Sequence, residues 1–195
     1  LENMNLHIKA GQSVALVGAT GEGKTTITNL VCRFYEPTAG ELCIDDGINY
    51  MEKTIESLRK QMGIVLQTPH LFSGTIGDNV KYGKKDATDE EVKAALRLVG
   101  AEEFGERLNE EVGEGGDKLS TGEKQLLSFA RALLTNPRIL IMDEATSSID
   151  TLTEAKIQDG IEQMIKGRTA IIVAHRLSTI KNCDRILVIK KGKII

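Results

Sequence analysis

No stretch of this sequence approaches the ~20 consecutive apolar residues that a membrane span needs, and no charged-then-apolar leader opens it. By itself the polypeptide is expected to be soluble. It also lacks an excess of positive charge: 25 Lys and Arg against 28 Asp and Glu give a net charge of −3. No broad basic face is offered to a nucleic-acid backbone, so no nucleic-acid partner is expected. Cysteine is scarce, and Cys32, Cys43 and Cys183 lie far apart without metal-ligand spacing, reading as reduced thiols of the cytosol. Internal repeats and low-complexity tracts are missing as well. What remains is a chain of 195 residues, a length that suits one domain with a proper core. Leu1 starts mid-pattern without a methionine and Ile195 stops straight after a Lys-Gly-Lys turn, so the sequence reads as an excised piece of a longer protein.

Apolar, β-rich runs occur at Ser13–Val17, Glu41–Ile44, Gly63–Leu66, Ile139–Met142, Ala170–Ala174 and Arg185–Ile189, with helical patterns or turns between them. That alternation predicts an α/β fold with a largely parallel sheet. Residues 75–135 break it, carrying helical periodicity and no convincing strand. There Thr88-Asp89-Glu90-Glu91 has the form of a capping box, followed by Val92, Ala95, Leu96 and Val99 on one face. Gly113 to Gly116 predict a flexible break before Leu119, and Pro137 closes the long helix that follows. The expected organisation is one unit over 1–195, with a core of about 1–74 and 136–195 and a helical subdomain of about 75–135.

The most informative stretch is Gly18-Ala19-Thr20-Gly21-Glu22-Gly23-Lys24-Thr25, set between the strand Ser13–Val17 and a helix predicted over Lys24–Phe34. Glycines let successive backbone N–H groups turn toward one centre, Lys24 adds a point charge, and the Thr25 hydroxyl can ligate Mg²⁺. A helix starting near Gly23 aims its positive end at the same anion. This predicts a phosphate-binding loop for a nucleoside triphosphate, with Thr26 at its exit. Glu22 is the odd member, an acid in an anion site, and is expected to point into water.

A second constellation is Ile139-Leu140-Ile141-Met142-Asp143-Glu144, an apolar run that delivers two acids at the C-terminal end of a strand, the edge where open α/β sheets bind ligands. Asp143 suits the Mg²⁺ shell, and Glu144 suits the orientation or deprotonation of a water beside a γ-phosphate. Leu119-Ser120-Thr121-Gly122-Glu123 opens a long helix, with Ser120 and Glu123 in capping-box spacing. Gln67 closes an earlier strand and His175 a later one.

Taken together and in order, these residues resemble the nucleotide-binding domain of ATP-binding cassette (ABC) proteins: Walker A at Gly18–Thr25, Q-loop at Gln67, signature at Leu119–Glu123, Walker B at Ile139–Asp143 followed by Glu144, D-loop at Ser147 to Asp150 and H-loop at His175. The resemblance implies a P-loop NTPase fold and a head-to-tail dimer in which the signature of one protomer closes over ATP and Mg²⁺ held by the Walker A of the other. Ser120 and the N–H groups of Thr121 and Gly122 would then reach the γ-phosphate across the interface. Lys24 and Thr25 would cradle phosphates and metal, Gln67 would join the metal or water shell, and Glu144 would be the base. His175 would hold γ-phosphate and water in line, and Asp150 would tie the halves together.

Gln67-Thr68-Pro69-His70-Leu71-Phe72-Ser73-Gly74-Thr75-Ile76-Gly77-Asp78-Asn79-Val80 and Glu111 to Gly116 are similar to the Q-loop region and X-loop of exporters whose membrane spans and ATPase share one polypeptide. The implied setting is a multidrug- or lipid-type exporter, at the cytoplasmic face of a membrane, with a second nucleotide-binding domain and the coupling helices of a transmembrane domain as partners. Two features depart from the pattern. Thr121 and Glu123 stand where glycine and glutamine are usual. The aromatic residue that stacks on adenine, normally carried by strands before the phosphate loop, is absent, and Tyr35, Tyr50 and Tyr82 fall elsewhere in the order. Weak ATP binding by residues 1–195 alone is therefore expected. The rival functions are a soluble cassette acting on DNA or ribosomes and a nucleotide switch with little hydrolysis. Against the first, only about fifty residues separate Gln67 from Leu119, too few for a long coiled-coil arm at about 1.5 Å per residue.

Overall fold

The computed structural model describes residues 1–45, 47–143, 151–174 and 177–195. Its centre is a six-stranded sheet of β1 (Ser13–Val17), β4 (Met62–Val65), β5 (Ile139–Asp143), β6 (Thr169–Val173), β7 (Arg185–Lys190) and β8 (Lys193–Ile194), in the order β4-β5-β6-β1-β7-β8. Every pairing is parallel except β7 with β8, which form an antiparallel edge. Strands covered on both faces need apolar residues at every position, and this is why β1, β5 and β6 read as unbroken runs. Leu140, Met142, Ala170 and Ile172 look toward one side, and Ile141, Ile171 and Val173 toward the other. On the first side lie α5 (Thr121–Leu134) and α6 (Thr151–Ile165), burying Leu126, Leu127, Phe129, Ile157 and Ile161. On the second, α1 (Lys24–Val31) brings Ile27 against Leu16 and Val173, with Met4, Leu6 and Ile8 at the margin. Each Leu-sized side chain so buried contributes roughly 1.5–3 kcal/mol before chain entropy is counted.

Residues 75–135 carry α3 (Ile76–Lys81), α4 (Asp89–Leu98), short 3₁₀ turns and α5. The periodicity of α4 is borne out, since Val92, Leu96 and Val99 have no exposed surface and Ala95 retains 4%. Capping boxes start all three helices: Thr75 with Asp78, Thr88 with Glu91 and Ser120 with Glu123. The glycine-rich break is an ordered 3₁₀ turn at Glu114–Gly116, and Lys118 N–H donates to Val112 O at 3.3 Å. Among the described residues no helix is long and apolar enough to cross a membrane.

Two local expectations are corrected. The run at Glu41–Ile44 is not a core strand. Only β2 (Cys43–Ile44) forms, paired antiparallel with β3 (Ile48–Asn49) in a separate hairpin, because Asp45 (φ 45°) and Gly47 (φ 95°) turn the chain back at once. The first helix ends at Val31 rather than Phe34. Arg33 adopts a left-handed φ of 52°, held there by guanidinium bonds to Lys53 O at 2.8 Å and to Glu36 at 2.9 Å. The short α2 (Ile55–Arg59) follows, and α7 (Leu177–Lys181) precedes β7.

Candidate active site

The carboxyl ends of the parallel strands form one edge, and the predicted site residues are strung along it. β1 runs straight into Gly18, β5 ends on Asp143, and β4 ends two residues before Gln67. β4 and β5 are neighbours in register, Val65 opposite Met142, so Gln67 and Asp143 leave adjacent strands on the same edge. One strand, β6, separates β5 from β1, which puts Asp143 about 10 Å across the sheet from the loop after β1. Lys24 and Asp143 therefore share an end of the sheet. Gln67 is exposed and Asp143 partly buried.

Geometry explains the glycines of the loop. A Cβ on Gly18, whose φ is +152°, would sit 2.3 Å from Ile189 O, so only glycine lets the chain pass this close to β7. Gly23 is the N-cap of α1 with φ 103°, and no side chain caps the helix there. First-turn N–H groups lacking a side-chain acceptor form an anion receptor. Lys24, 6% exposed, folds back into the loop, its Nζ donating to Gly18 O at 2.7 Å and Ala19 O at 2.8 Å. These carbonyls satisfy a charge that would be costly to bury alone. They also hold the ammonium at the focus of Gly18–Gly23. Ala19, Thr20, Gly21, Thr25 and Thr26 are exposed around it.

Glu22 is half-buried and does not stand free in water. Its carboxylate accepts the N–H of Lys191, and its own carbonyl accepts the N–H of Gly192 at 3.1 Å, so the acid is spent on the β7–β8 turn. The negative charge is thereby turned away from the loop centre.

The second predicted receptor lies at the start of α5. Ser120 and Thr121 are exposed, whereas Gly122 is buried. Ser120 Oγ accepts Glu123 N–H at 3.3 Å and Glu123 Oε2 accepts Ser120 N–H at 2.8 Å. The acid that departs from the usual signature turns back onto its own cap. The N–H groups of Thr121 and Gly122 have no acceptor within the helix, and the Ser120 hydroxyl keeps its proton for donation. Nearby, Lys124 Nζ donates to Gly115 O at 3.2 Å, tying the glycine-rich turn to α5.

Glu144, Asp150 and His175 lie outside the described residues, as do Ser147 and Ser148. Of the tyrosines, Tyr50 is fully buried in a core cluster, Tyr35 is exposed, and Tyr82 stacks on Phe72 with centroids 4.4 Å apart. Sequence reasoning passed over Asn79 and Arg131, which bind the chain that follows Gln67. The signal available was an arginine between Ala130 and Ala132 in an otherwise apolar stretch of helix.

Residues 1–147 match the family model described as ABC transporter. This chain belongs to the ABC transporter family. Over its whole length it is 51% identical to a probable multidrug resistance ABC transporter ATP-binding/permease protein, YheH, of Bacillus subtilis (strain 168), covering 29% of that protein. It is 49% identical over its whole length to an ATP-dependent lipid A-core flippase of Syntrophus aciditrophicus (strain SB), covering 33% of it. Among solved structures, that of a bacterial Atm1-family ABC exporter with ATP bound superposes with a TM-score of 0.88 at 44% identity, over 98% of this chain and 34% of the other. The chain thus spans about a third of the length of these relatives and corresponds to the ATP-binding domain of exporter-type ABC proteins.

Proposed function

We propose that residues 1–195 form one ABC ATPase domain, with its helical subdomain at 75–135, that binds and hydrolyses ATP to power export across a membrane. The observation that carries this reading is the shared sheet edge: Lys24, Thr25, Asp143 and Gln67 converge there, while a capped and exposed helix tip at Ser120 is held on a different element. One domain thus offers a phosphate cradle and, separately, a second anion receptor. Head-to-tail pairing with another such domain would bring one of each to every nucleotide.

The donor set suits Mg·ATP. A hydroxyl at Thr25, a carboxylate at Asp143 and an amide oxygen at Gln67 are hard oxygen ligands of the kind Mg²⁺ takes alongside phosphates. When bound, the ion would neutralise charge on the β- and γ-phosphates. Lys24 exchanges the Gly18 and Ala19 carbonyls for phosphate oxygens, trading one set of acceptors for another at the same focus. The first-turn N–H groups of α1 hold the remaining oxygens. Glu144 takes the proton of the attacking water, and His175 keeps that water in line with the γ-phosphate. Across the pair, the Ser120 hydroxyl and the N–H groups of Thr121 and Gly122 donate to the γ-phosphate, where charge spreads in the transition state. Asp150 joins the two halves. The cargo pathway and the coupling helices of a transmembrane domain belong to the remainder of a transporter, as in the fused ATP-binding/permease relative.

Substitution Glu144→Gln in the intact protein tests the reading. Loss of a general base should slow ATP hydrolysis by about 10²–10⁴-fold while nucleotide binding persists. An unchanged hydrolysis rate would overturn the catalytic assignment.

A further inference from the structure

Away from that sheet edge, a dense polar cluster joins α5 to the chain after Gln67. Arg131, on α5 eleven positions beyond Ser120, aims its planar guanidinium at three acceptors. Nε donates to Asn79 O at 2.8 Å, Nη1 to His70 O at 2.8 Å and Nη2 to Asn79 Oδ1 at 3.0 Å. Asn79, 2% exposed, returns bonds to the same segment. Its Oδ1 accepts Phe72 N–H at 2.8 Å, and its Nδ2 donates to Phe72 O at 2.9 Å and Thr75 O at 3.0 Å. The stacked rings of Phe72 and Tyr82 flank the guanidinium, with Cζ 5.4 Å and 5.7 Å from their centroids. Beyond the clamp, Val112 N–H donates to Gly74 O at 3.0 Å and Gly77 N–H to Leu108 O at 2.8 Å, which binds the same strip to the chain leading toward Ser120.

Leu66, Gln67 and Thr68 are exposed between two fixed points: β4 in the sheet, and residues 70–72 gripped by Arg131 and Asn79. We infer that Arg131 and Asn79 are positioning residues for the ATP site, a clamp that makes the trailing end of the Gln67 segment move as one body with the α5 tip carrying Ser120. Lysine cannot replace this arginine, because three acceptors, each met by a different guanidinium nitrogen, call for the fork and an ammonium is a point donor. The inference rests on the proposed placing of Gln67 in the ATP site.

The test is a double-mutant cycle in the intact protein, measuring kcat and KM for Mg·ATP in the wild type, Gln67→Ala, Arg131→Lys and the double variant. Arg131→Lys should lower kcat about tenfold and leave KM within about twofold, since the cradle around Lys24 belongs to other elements. The double variant should be no slower than Gln67→Ala alone. Should Arg131→Lys fail to fold, Asn79→Asp enters the same cycle with the same expected fall in kcat; it keeps an acceptor for Arg131, but sets a carboxylate oxygen against the Phe72 and Thr75 carbonyls in place of the two bonds donated to them. If Gln67→Ala leaves kcat unchanged, the placing of Gln67 fails and the clamp with it. If Gln67→Ala is slow but the losses multiply, or KM rises in step with the fall in kcat, Gln67 keeps its place and the clamp alone is refuted.

Discussion

The helices α1 and α5 both begin with a small residue and a lysine within four positions, yet their tips are built in opposite ways. The tip of α1 is stripped of side-chain capping: glycine sits at the N-cap, no side chain accepts its first-turn donors, and a nearly buried ammonium occupies the focus. At α5 the tip is capped twice over by Ser120 and Glu123, stands exposed, and carries an acid in its first turn. A stripped tip inside a glycine loop is unsatisfied by design and gains from an anion in its own chain. A capped tip is stable without one, and can offer its hydroxyl and two N–H groups only to something that approaches from outside. On the proposed function, the contrast separates holding a phosphate from sensing one.

The comparison is broken most severely at the stripped tip. Lys24→Met should lower ATP hydrolysis by the intact protein about 100-fold or more, since it removes the ammonium from the loop. A steady-state rate within tenfold of wild type would contradict the assignment of α1. At the capped tip, Ser120→Asp separates stability from recognition. Aspartate caps as well as serine, so the melting temperature should stay within about 2 °C, while hydrolysis falls by about 10–100-fold as a carboxylate meets the incoming phosphate. If rate and melting temperature fall together, Ser120 is only a cap. Glu123→Gln is the milder change. Glutamine still accepts the Ser120 N–H, so the box survives, and removal of one charge should raise hydrolysis or apparent ATP affinity by about two- to fivefold. A decrease would mean that the carboxylate is needed at the interface.

The smallest effect is expected at the opposite end of β1. There the Asp184 carboxylate accepts Ser13 N–H and Ser13 Oγ, both at 2.7 Å, and the backbone bond first, then the hydroxyl, hold its pKa below the ordinary 3.8. A carboxylate depressed in the fold stabilises it above the unfolded pKa, and that contribution is lost as pH falls through the lower folded value. Asp184→Asn should therefore flatten the acid limb of thermal stability below about pH 4 and leave hydrolysis at neutral pH unchanged. Parallel acid limbs in the two proteins would contradict this.

What could be read from the sequence was what is local. The runs at Ser13–Val17 and Ile139–Met142, the capping boxes at Thr88 and Ser120 and the burial of Val92, Ala95, Leu96 and Val99 all depend on neighbours within one element, and each is found. One failure is local, since Asp45 and Gly47 turn the chain back straight after Cys43–Ile44; the others have distant causes. Glu22 was expected in water, but its acceptor oxygens are claimed by a turn 169 positions away. Helix α1 stops early because Lys53, twenty positions on, supplies an acceptor to Arg33. Arg131 reaches across 52 and 61 positions to Asn79 and His70, a separation no periodicity encodes. Within the nucleotide edge, the order of motifs and the turning of Glu123 onto the Ser120 cap could be read from spacing, whereas Lys24 folding onto Gly18 and Ala19 could not.

On the proposed function, a nucleotide lies between the stripped tip of one domain and the capped tip of the domain facing it. The most direct measurement is a structure of the intact Glu144→Gln protein frozen with Mg·ATP. Ser120 Oγ should then stand about 2.7–3.0 Å from a γ-phosphate oxygen whose other contacts are Lys24 and the α1 N–H groups of the opposite domain. A nucleotide seated on Lys24 with the facing Ser120 more than about 10 Å away, well beyond any hydrogen bond, would contradict it.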